Sequence, residues 1–251
     1  MKILTLLALL FFVPSAWGAL DQTSNDKTDD NVGSSTALTF SVAPTVGCAV
    51  FVVWNGYNAS NYNATTVADD AAGSYTIIKG SAVGSIQSVP MLAYLQSVGS
   101  SMTTVTITHS NSSGNYVRAR AFSWCGQAAA MYDQTGDQYE ASATGITVTS
   151  GVTTANDELV IAVVQVSISS SLVHLSDPAT TGYTTTFIEQ DHALHVAGGS
   201  GYKVVASTGA QSATWTHDSG LSQAIIATFK LGAAPPASGR RRIQSQSLIL
   251  Q

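Results

Sequence analysis

Charged side chains are scarce in this sequence. The 251 residues include only 10 Lys or Arg and 15 Asp or Glu, against 32 Ser and 28 Thr. A surface covered by hydroxyl groups rather than charges is expected of extracellular β proteins, because Thr suits strands and Ser suits turns. Hydrophobic residues still make up 45% of the chain, which excludes a disordered Ser/Thr stalk and allows a core.

The sequence also lacks a basic patch in its central region. Its basic run, Arg240–Arg242, stands near one end, and four aspartates crowd the other (Asp21, Asp26, Asp29 and Asp30). A nucleic-acid-binding domain carries a basic stripe on its folded part, so we expect no nucleic-acid partner. The opposite charges of the two ends raise the hypothesis that copies of the chain associate head to tail into a homo-oligomer.

Catalytic motifs are missing as well. There is no HExxH, GxSxG or P-loop pattern, and no pair of acids stands out as the acid and base of a glycosidase. His192 and His195 lie three apart, which on a strand points them to opposite faces, and no further ligands accompany them. We predict a protein without catalytic residues or cofactor; a secreted jelly-roll hydrolase acting on carbohydrate is the alternative.

The first 18 residues have the order of a secretory signal peptide. Lys2 is followed by an apolar run, Ile3–Val13, and by Ala16-Trp17-Gly18, which fits the small-x-small cleavage pattern. The apolar run is shorter than the ~20 residues that a membrane-spanning helix needs, and no later segment is long and apolar enough. The pattern predicts a secreted protein whose mature chain starts at Ala19 and does not span a membrane; an uncleaved anchor is the alternative.

Short segments of strand-like pattern, separated by Gly, Asn, Asp or Ser, fill residues 35–232. "CAVFVVW" is apolar throughout, which suits a strand covered on both faces, and "VPMLAYLQSV" is interpreted as a strand rather than a helix. The pattern predicts an all-β fold, a single antiparallel β-sandwich of roughly ten or more strands. Residues 19–34 are predicted to be an acidic flexible leader, and residues 233–251 an Ala/Pro linker with a basic tail.

Cys48 and Cys125 are the only cysteines. In an oxidising compartment such a pair favours one disulfide. Two buried thiols that never meet are the competing interpretation, since a sequence does not give the separation of the two Cα atoms.

Two acidic segments are candidates for turns or for calcium sites. In "VADDAAGSYTII", Asp69 and Asp70 are adjacent, so on a strand they point to opposite faces, and no distal glutamate completes a calcium loop. The segment favours a turn, because Asp accepts local backbone hydrogen bonds and Gly adopts unusual backbone angles. We interpret it as a turn and keep Asp69 and Asp70 as calcium candidates, with Asp133 and Asp137 as a second candidate pair.

Aromatic residues and sequons provide candidates for glycan contact. Tyr57 and Tyr62, in "NGYNASNYN", are predicted to be exposed and to offer rings for sugar stacking. Trp124 and Trp215 stand among apolar neighbours and are predicted to be core residues. N-glycosylation sequons begin at three asparagines in turn-like segments, which suits surface loops: Asn58, Asn63 and Asn111.

Four segments of the sequence are similar to segments of a known protein family: "VADDAAGSYTII", "VTITHSNSSGNYVRARAFSWCG", "VTTANDELVIAVV" and "GYKVVASTGAQSATWTHDSGLSQAIIATFK". In this order, between Ser35 and Leu231, they resemble a jelly-roll-like β-sandwich that recurs in phage virion proteins and in bacterial secreted or surface proteins. The resemblance implies a structural or adhesive module of a virion or cell exterior, whose partner is a surface, a glycan or another copy. It brings no catalytic residues.

Overall fold

The structure, a computed structural model, describes residues 18–58, 62–81, 88–167, 175–176, 182–191 and 196–232. These ranges contain fourteen strands and no helix, hence no helix long and apolar enough to cross a membrane. The strands are β1 (Ala19–Thr23), β2 (Lys27–Val32), β3 (Ser35–Thr39), β4 (Ala49–Tyr57), β5 (Ala64–Asp69), β6 (Thr76–Lys79), β7 (Ser88–Leu95), β8 (Thr104–His109), β9 (Asn115–Cys125), β10 (Gln127–Val152), β11 (Glu158–Ser167), β12 (Thr184–Asp191), β13 (Val196–Val205) and β14 (Ala210–Leu231). The predicted all-β fold is confirmed, and "VPMLAYLQ" lies largely in β7.

The strands form three antiparallel sheets. The six-stranded sheet has the order β1-β9-β4-β7-β6, with β2 also pairing with β9. The five-stranded sheet has the order β10-β14-β11-β13-β12, and the three-stranded sheet has the order β3-β8-β5. The six-stranded sheet lies between the other two, because it shares one hydrophobic core with each of them.

The strand β4 is buried on both faces. Val50, Val52 and Trp54 point into the core shared with the three-stranded sheet. Phe51 and Val53 point into the core shared with the five-stranded sheet, and all five residues are at most 1% exposed. Successive strand residues face opposite sides, so a strand between two layers must be apolar throughout, as predicted from its sequence.

The long strands β10 and β14 fold back over the outer face of the five-stranded sheet. Past a break in register at Ala143, residues 143–152 and 210–220 form a two-stranded ribbon. Val148 and Trp215 of this ribbon cover a third core. The two parts of the folded-back strand β10 lie in close contact: a side chain at Gly136 would collide with the carbonyl of Thr149 on the same strand. The molecule is therefore a stack of four layers, counting the ribbon as the fourth.

The predicted flexible leader is corrected by the structure. Its residues form β1 and β2, which pair with β9. Asp21 accepts hydrogen bonds from the N–H of Thr45 and the hydroxyl of Ser123 (2.8 and 2.9 Å), and Asp26 forms an ion pair with Arg120 at 3.1 Å. Polar residues can extend a sheet in this way, because its pairing uses backbone groups that every residue carries.

Cys48 and Cys125 form a disulfide, with their Cα atoms 4.3 Å apart. They stand side by side on neighbouring strands, next to the paired residues Ala49 and Trp124. The bond therefore fastens the start of β4 to the end of β9. Trp124 is 4% exposed, so its predicted core position is confirmed, as is that of Trp215 in the third core.

Candidate functional site

Asp69 and Asp70 belong to a turn, as predicted. Asp69 accepts hydrogen bonds from the backbone N–H groups of Ala71 and Gly73 through one oxygen, at 2.9 and 2.7 Å. Asp70 instead accepts from the N–H and the hydroxyl of Thr103, at 3.0 and 2.9 Å. Burial acts to raise the pKa of Asp70, but these bonds outweigh it and lower the pKa. The two carboxylates thus bond to separate segments of the chain, and their oxygen atoms do not converge on one point.

Asp133 and Asp137 do not share a site either. Asp133 forms an ion pair with Lys230 at 3.1 Å, whereas Asp137 accepts a hydrogen bond from the N–H of Ser81 at 3.1 Å. The ammonium group of Lys230 already supplies the positive charge beside Asp133. Calcium needs six or more converging oxygen ligands, and neither candidate pair, as the structure describes it, provides such a set.

One group of potential metal ligands comes together among the described residues. The carboxylate of Asp21 and the sulfur atoms of Cys48 and Cys125 lie within 4.8 Å of one another. The two sulfurs are joined in the disulfide, whereas metal binding by cysteine requires the thiolate. The group is therefore structural, and Asp21 is occupied in fastening β1.

Tyr62 is buried, which corrects its predicted exposure. It is 3% exposed, and its ring lies so close to Gly56 that a side chain there would collide with it. Its hydroxyl lies 2.9 Å from Nδ1 of His109, a buried partner of the kind that lets a tyrosine enter a core. Tyr57 is half-buried against Tyr116, with ring centroids 6.0 Å apart. The two predicted glycan contacts therefore do not form one exposed platform.

Asn58 is buried, which corrects its predicted place in a surface loop. It is 5% exposed, and its side-chain nitrogen donates to the carbonyl of Ser113 and the side chain of Asn115, at 3.0 and 3.1 Å. That nitrogen is the atom a glycan would modify, so the fold leaves no room for one there. Asn63 and Asn111 are partly exposed, and their glycosylation stays a prediction.

Several sequence predictions lie outside the described residues. They concern residues 1–17 of the signal peptide, the segment containing His192 and His195, and the tail with Arg240–Arg242. The head-to-tail hypothesis also depends on the acidic end, where Asp21 and Asp26 are engaged within the chain.

The outer face of the three-stranded sheet is covered by small, uncharged side chains. On the central strand β8, Thr104, Thr106 and Thr108 alternate with the buried Val105 and Ile107. The flanking strands add Ser, Thr and Ala in register with these threonines. We call this surface the hydroxyl face; its residues are Ser35, Ala37, Thr39, Thr66, Ala68, Thr104, Thr106 and Thr108.

The hydroxyl face is regular because the sheet is regular. Ser35 and Thr66 flank Thr108, and Ala37 and Ala68 flank Thr106. Neighbouring strands lie about 4.8 Å apart, and residues on one face repeat every ~6.6 Å along a strand. The side chains of the face are short and of similar size, and hydroxyl groups recur at regular intervals along β8. The exposed residue Asp70 borders the face at Thr104, where its N–H donates to the Thr104 carbonyl at 3.1 Å.

A polar cavity adjoins one end of the hydroxyl face. It has a volume of about 450 Å³ and is lined by Thr23, Ser24, Asn25, Thr39 and Ser41. Thr39 belongs to both surfaces, and its backbone N–H donates to the Asn25 side chain at 2.9 Å. Hydroxyl and amide groups therefore continue from the face into the cavity without a charged side chain among them.

A cluster that sequence reasoning missed lies in the five-stranded sheet. Asp133, Lys230 and Glu158 stand on the adjacent strands β10, β14 and β11, with Glu158 directly opposite Lys230. Glu158 is fully buried. Its pKa is raised, mainly by burial and further by the charge of Asp133, although Thr228 acts in the opposite direction. Two carboxyl groups and the amino group of a lysine thus meet on three adjacent strands.

The chain matches no protein-family model, no curated protein and no solved structure. The resemblance to jelly-roll proteins of virions and bacterial surfaces therefore stays an interpretation of sequence segments, and the function has to be argued from the surfaces described above.

Proposed function

We propose that the protein is an exported, non-catalytic adhesive module of a cell or virion exterior that binds uncharged polysaccharide through its hydroxyl face. One observation carries the proposal: a face of short Ser, Thr and Ala side chains, with one exposed carboxylate (Asp70) at its edge, leads into an open cavity of about 450 Å³ lined by Ser, Thr and Asn residues. The secretory pattern of the first 18 residues supports an exterior location.

The chemistry of the face suits a sugar chain. Each hydroxyl group can donate and accept a hydrogen bond, as the hydroxyl groups of a sugar can. Thr has few side-chain rotamers in a strand, so little conformational entropy is lost when a ligand is bound. None of the eight residues of the face is charged, so binding over them removes no ion from water, a step that would be costly. The exposed carboxylate of Asp70 lies at one edge, beside Thr104. The cavity beside Thr39 offers space for the end of the chain or a branch.

Binding to polysaccharides tests this proposal. The protein would be mixed with insoluble cellulose and chitin, and applied to an array of neutral and acidic glycans. The decisive variant is Thr106→Lys, which places a long charged side chain between Ala37 and Ala68 in the middle of the face. Its matched control is Thr147→Lys, at an exposed strand position of the ribbon.

We expect binding to a neutral polysaccharide that Thr106→Lys weakens by about tenfold or more, a loss of about 1.4 kcal/mol, and that Thr147→Lys leaves unchanged. Equal binding by both variants would place the contact elsewhere. Absence of binding together with oligomers in light scattering would favour a structural subunit. Release of sugar from a bound polysaccharide would favour the hydrolase alternative.

A further inference from the structure

Three adjacent strands place a lysine between two buried carboxyl groups. Lys230 on β14 has Asp133 on one side and Glu158 on the other, in the strand order β10-β14-β11. The Nζ atom of Lys230 lies 3.1 Å from Oδ1 of Asp133. The ammonium group of Lys230 and the carboxylate of Asp133 are thus in direct contact.

The two carboxyl groups of this cluster are more buried than the lysine. The side chain of Asp133 is 3% exposed and that of Lys230 is 32% exposed, whereas Glu158 is 0% exposed. One oxygen of Glu158, Oε2, is buried without a hydrogen-bond partner among the described residues. A buried ion pair carries a large desolvation cost, so a reaction that removes its two charges is favoured here.

Two donors polarise the carboxyl group of Asp133. The backbone N–H of Thr154 donates to Oδ2 at 2.6 Å, and the Thr154 hydroxyl donates to Oδ1 at 2.6 Å. Donors aimed at a carbonyl oxygen stabilise the negative charge that develops there when a nucleophile attacks the carbon. Thr154 lies two residues after the end of β10 at Val152. The folding back of β10 therefore places these two donors beside Asp133.

Glu158 is suited to carry a proton in the same place. Burial raises its pKa, and the charge of Asp133 raises it further. Burial acts to raise the pKa of Asp133 as well, but Thr154, Glu158 and Lys230 together outweigh it and lower that pKa. The pKa values of the two neighbouring carboxyl groups are thus shifted in opposite directions, an arrangement in which one of them can give and recover a proton.

We propose that Lys230 and Asp133 condense into an intramolecular amide bond and that Glu158 carries protons during the reaction. Nζ of Lys230 forms a bond to Cγ of Asp133, and the bond from Cγ to one carboxyl oxygen breaks. Two of the three ammonium protons leave with that oxygen as water, and the third stays on the amide nitrogen. Glu158 passes a proton to the departing oxygen and recovers one from Nζ, so it ends unchanged. The reaction needs no oxidant, reductant or other reagent.

Proximity is what makes such a condensation feasible. Groups held in contact behave as if present at very high concentration, and the burial of the Asp133 side chain favours the neutral amide over the ion pair. The inference is independent of the hydroxyl face, which lies at the other end of the stack.

The intact mass of the folded, full-length chain tests this inference. We expect a mass lower, by one water molecule, than that of the sequence with its disulfide, after allowing for any removed leader. After reduction and proteolysis, a branched peptide should join the segment containing Asp133 to the segment containing Lys230. A mass without this deficit, with the two segments recovered as separate peptides, would overturn the proposal.

Variants separate the bond from an ordinary ion pair. Lys230→Arg keeps a positive charge beside Asp133 but cannot form the amide, so the water deficit should vanish while the circular dichroism spectrum is retained. Glu158→Gln keeps the side-chain shape but cannot carry a proton, and its deficit should also vanish or appear slowly. Lys203→Arg, on β13 of the same sheet, is the control and should keep the deficit. A full deficit in Glu158→Gln would overturn the role of Glu158.

Discussion

The hydroxyl of Tyr62 and the Nδ1 atom of His109 lie 2.9 Å apart in the core between the six-stranded and three-stranded sheets. The other ring nitrogen of His109 lies 2.9 Å from the hydroxyl of Thr36. This chain of contacts joins the loop after β4 to β8 and β3. It satisfies polar groups that would be costly to bury alone.

Tyr62→Phe should lower the free energy of unfolding by about 1–3 kcal/mol, because it removes the buried contact between the Tyr62 hydroxyl and Nδ1 of His109. Urea unfolding followed by fluorescence measures the change. Tyr57→Phe is the matched control, since Tyr57 is half-buried at the end of β4 and should change stability by much less. Equal effects of the two substitutions would count against a special role for the Tyr62 hydroxyl.

Loss of the disulfide should destabilise the fold by about 2–4 kcal/mol, since the bond closes a long loop of the unfolded chain. The two cysteines are separated by 77 positions. Denaturant unfolding with and without a dithiol reductant measures the effect. The double variant Cys48→Ser, Cys125→Ser should unfold at the same denaturant concentration as the reduced protein, and the reductant should not change its midpoint. An unchanged midpoint of the wild type on reduction would contradict the prediction.

Stability should fall at acid pH partly through Asp21. Burial acts to raise the pKa of this carboxyl, but hydrogen bonds from Thr45, Ser123 and Gln22 outweigh it and lower the pKa. The stabilisation is therefore complete above the unfolded pKa, about 3.9, and is lost as the pH falls through the lower folded value. Thermal unfolding measured between neutral and strongly acid pH should show a smaller acid loss for Asp21→Asn than for the wild type.

Gly136→Ala should destabilise the fold-back of β10 by about 1–3 kcal/mol, the usual cost of forcing atoms into a packed interior. The new methyl group would collide with the carbonyl of Thr149. Gly99→Ala is the control, because a side chain there meets no atom within 4 Å. Hydrogen exchange should locate the effect of Gly136→Ala in residues 143–152 and 210–220. Uniformly faster exchange throughout the chain would argue against a separate ribbon.

Calcium should leave the melting temperature unchanged, because Asp69 and Asp70 already bond to protein donors. Asp69→Ala should lower stability by about 1 kcal/mol through loss of the turn hydrogen bonds, whether calcium or a chelator is present. Scanning fluorimetry with and without chelator checks both statements. A rise in melting temperature on adding calcium, lost in Asp69→Ala, would restore the metal site.

Much of the fold follows from patterns that are local in the sequence. The apolar run of β4 indicates burial on both faces, and the threonines of β8 alternate with Val105 and Ile107. The same alternation could have located the hydroxyl face. The turn at Asp69 is predictable for the same reason, since its two backbone donors lie within four residues of it.

The remaining features depend on contacts between distant parts of the chain. Nothing near Tyr62 in the sequence indicates that its hydroxyl will contact the ring of His109. The leader is polar, and its pairing with β9 uses backbone groups that leave no pattern in the side chains. The cluster of Asp133, Glu158 and Lys230 requires the register of three strands, which is set only when β14 enters between β10 and β11.

The position of β14 has a consequence for how the protein reaches its final shape. It is the last of the described strands in chain order, yet it lies inside the five-stranded sheet and pairs with both β10 and β11. During synthesis from the N-terminal end, the residues of β10 and β11 are made well before their partners on β14, which follow 54 or more positions later (Ser167 pairs with Leu221). Such non-local pairing is typical of slow folding. The five-stranded sheet can therefore be completed only once nearly the whole of the described chain is present.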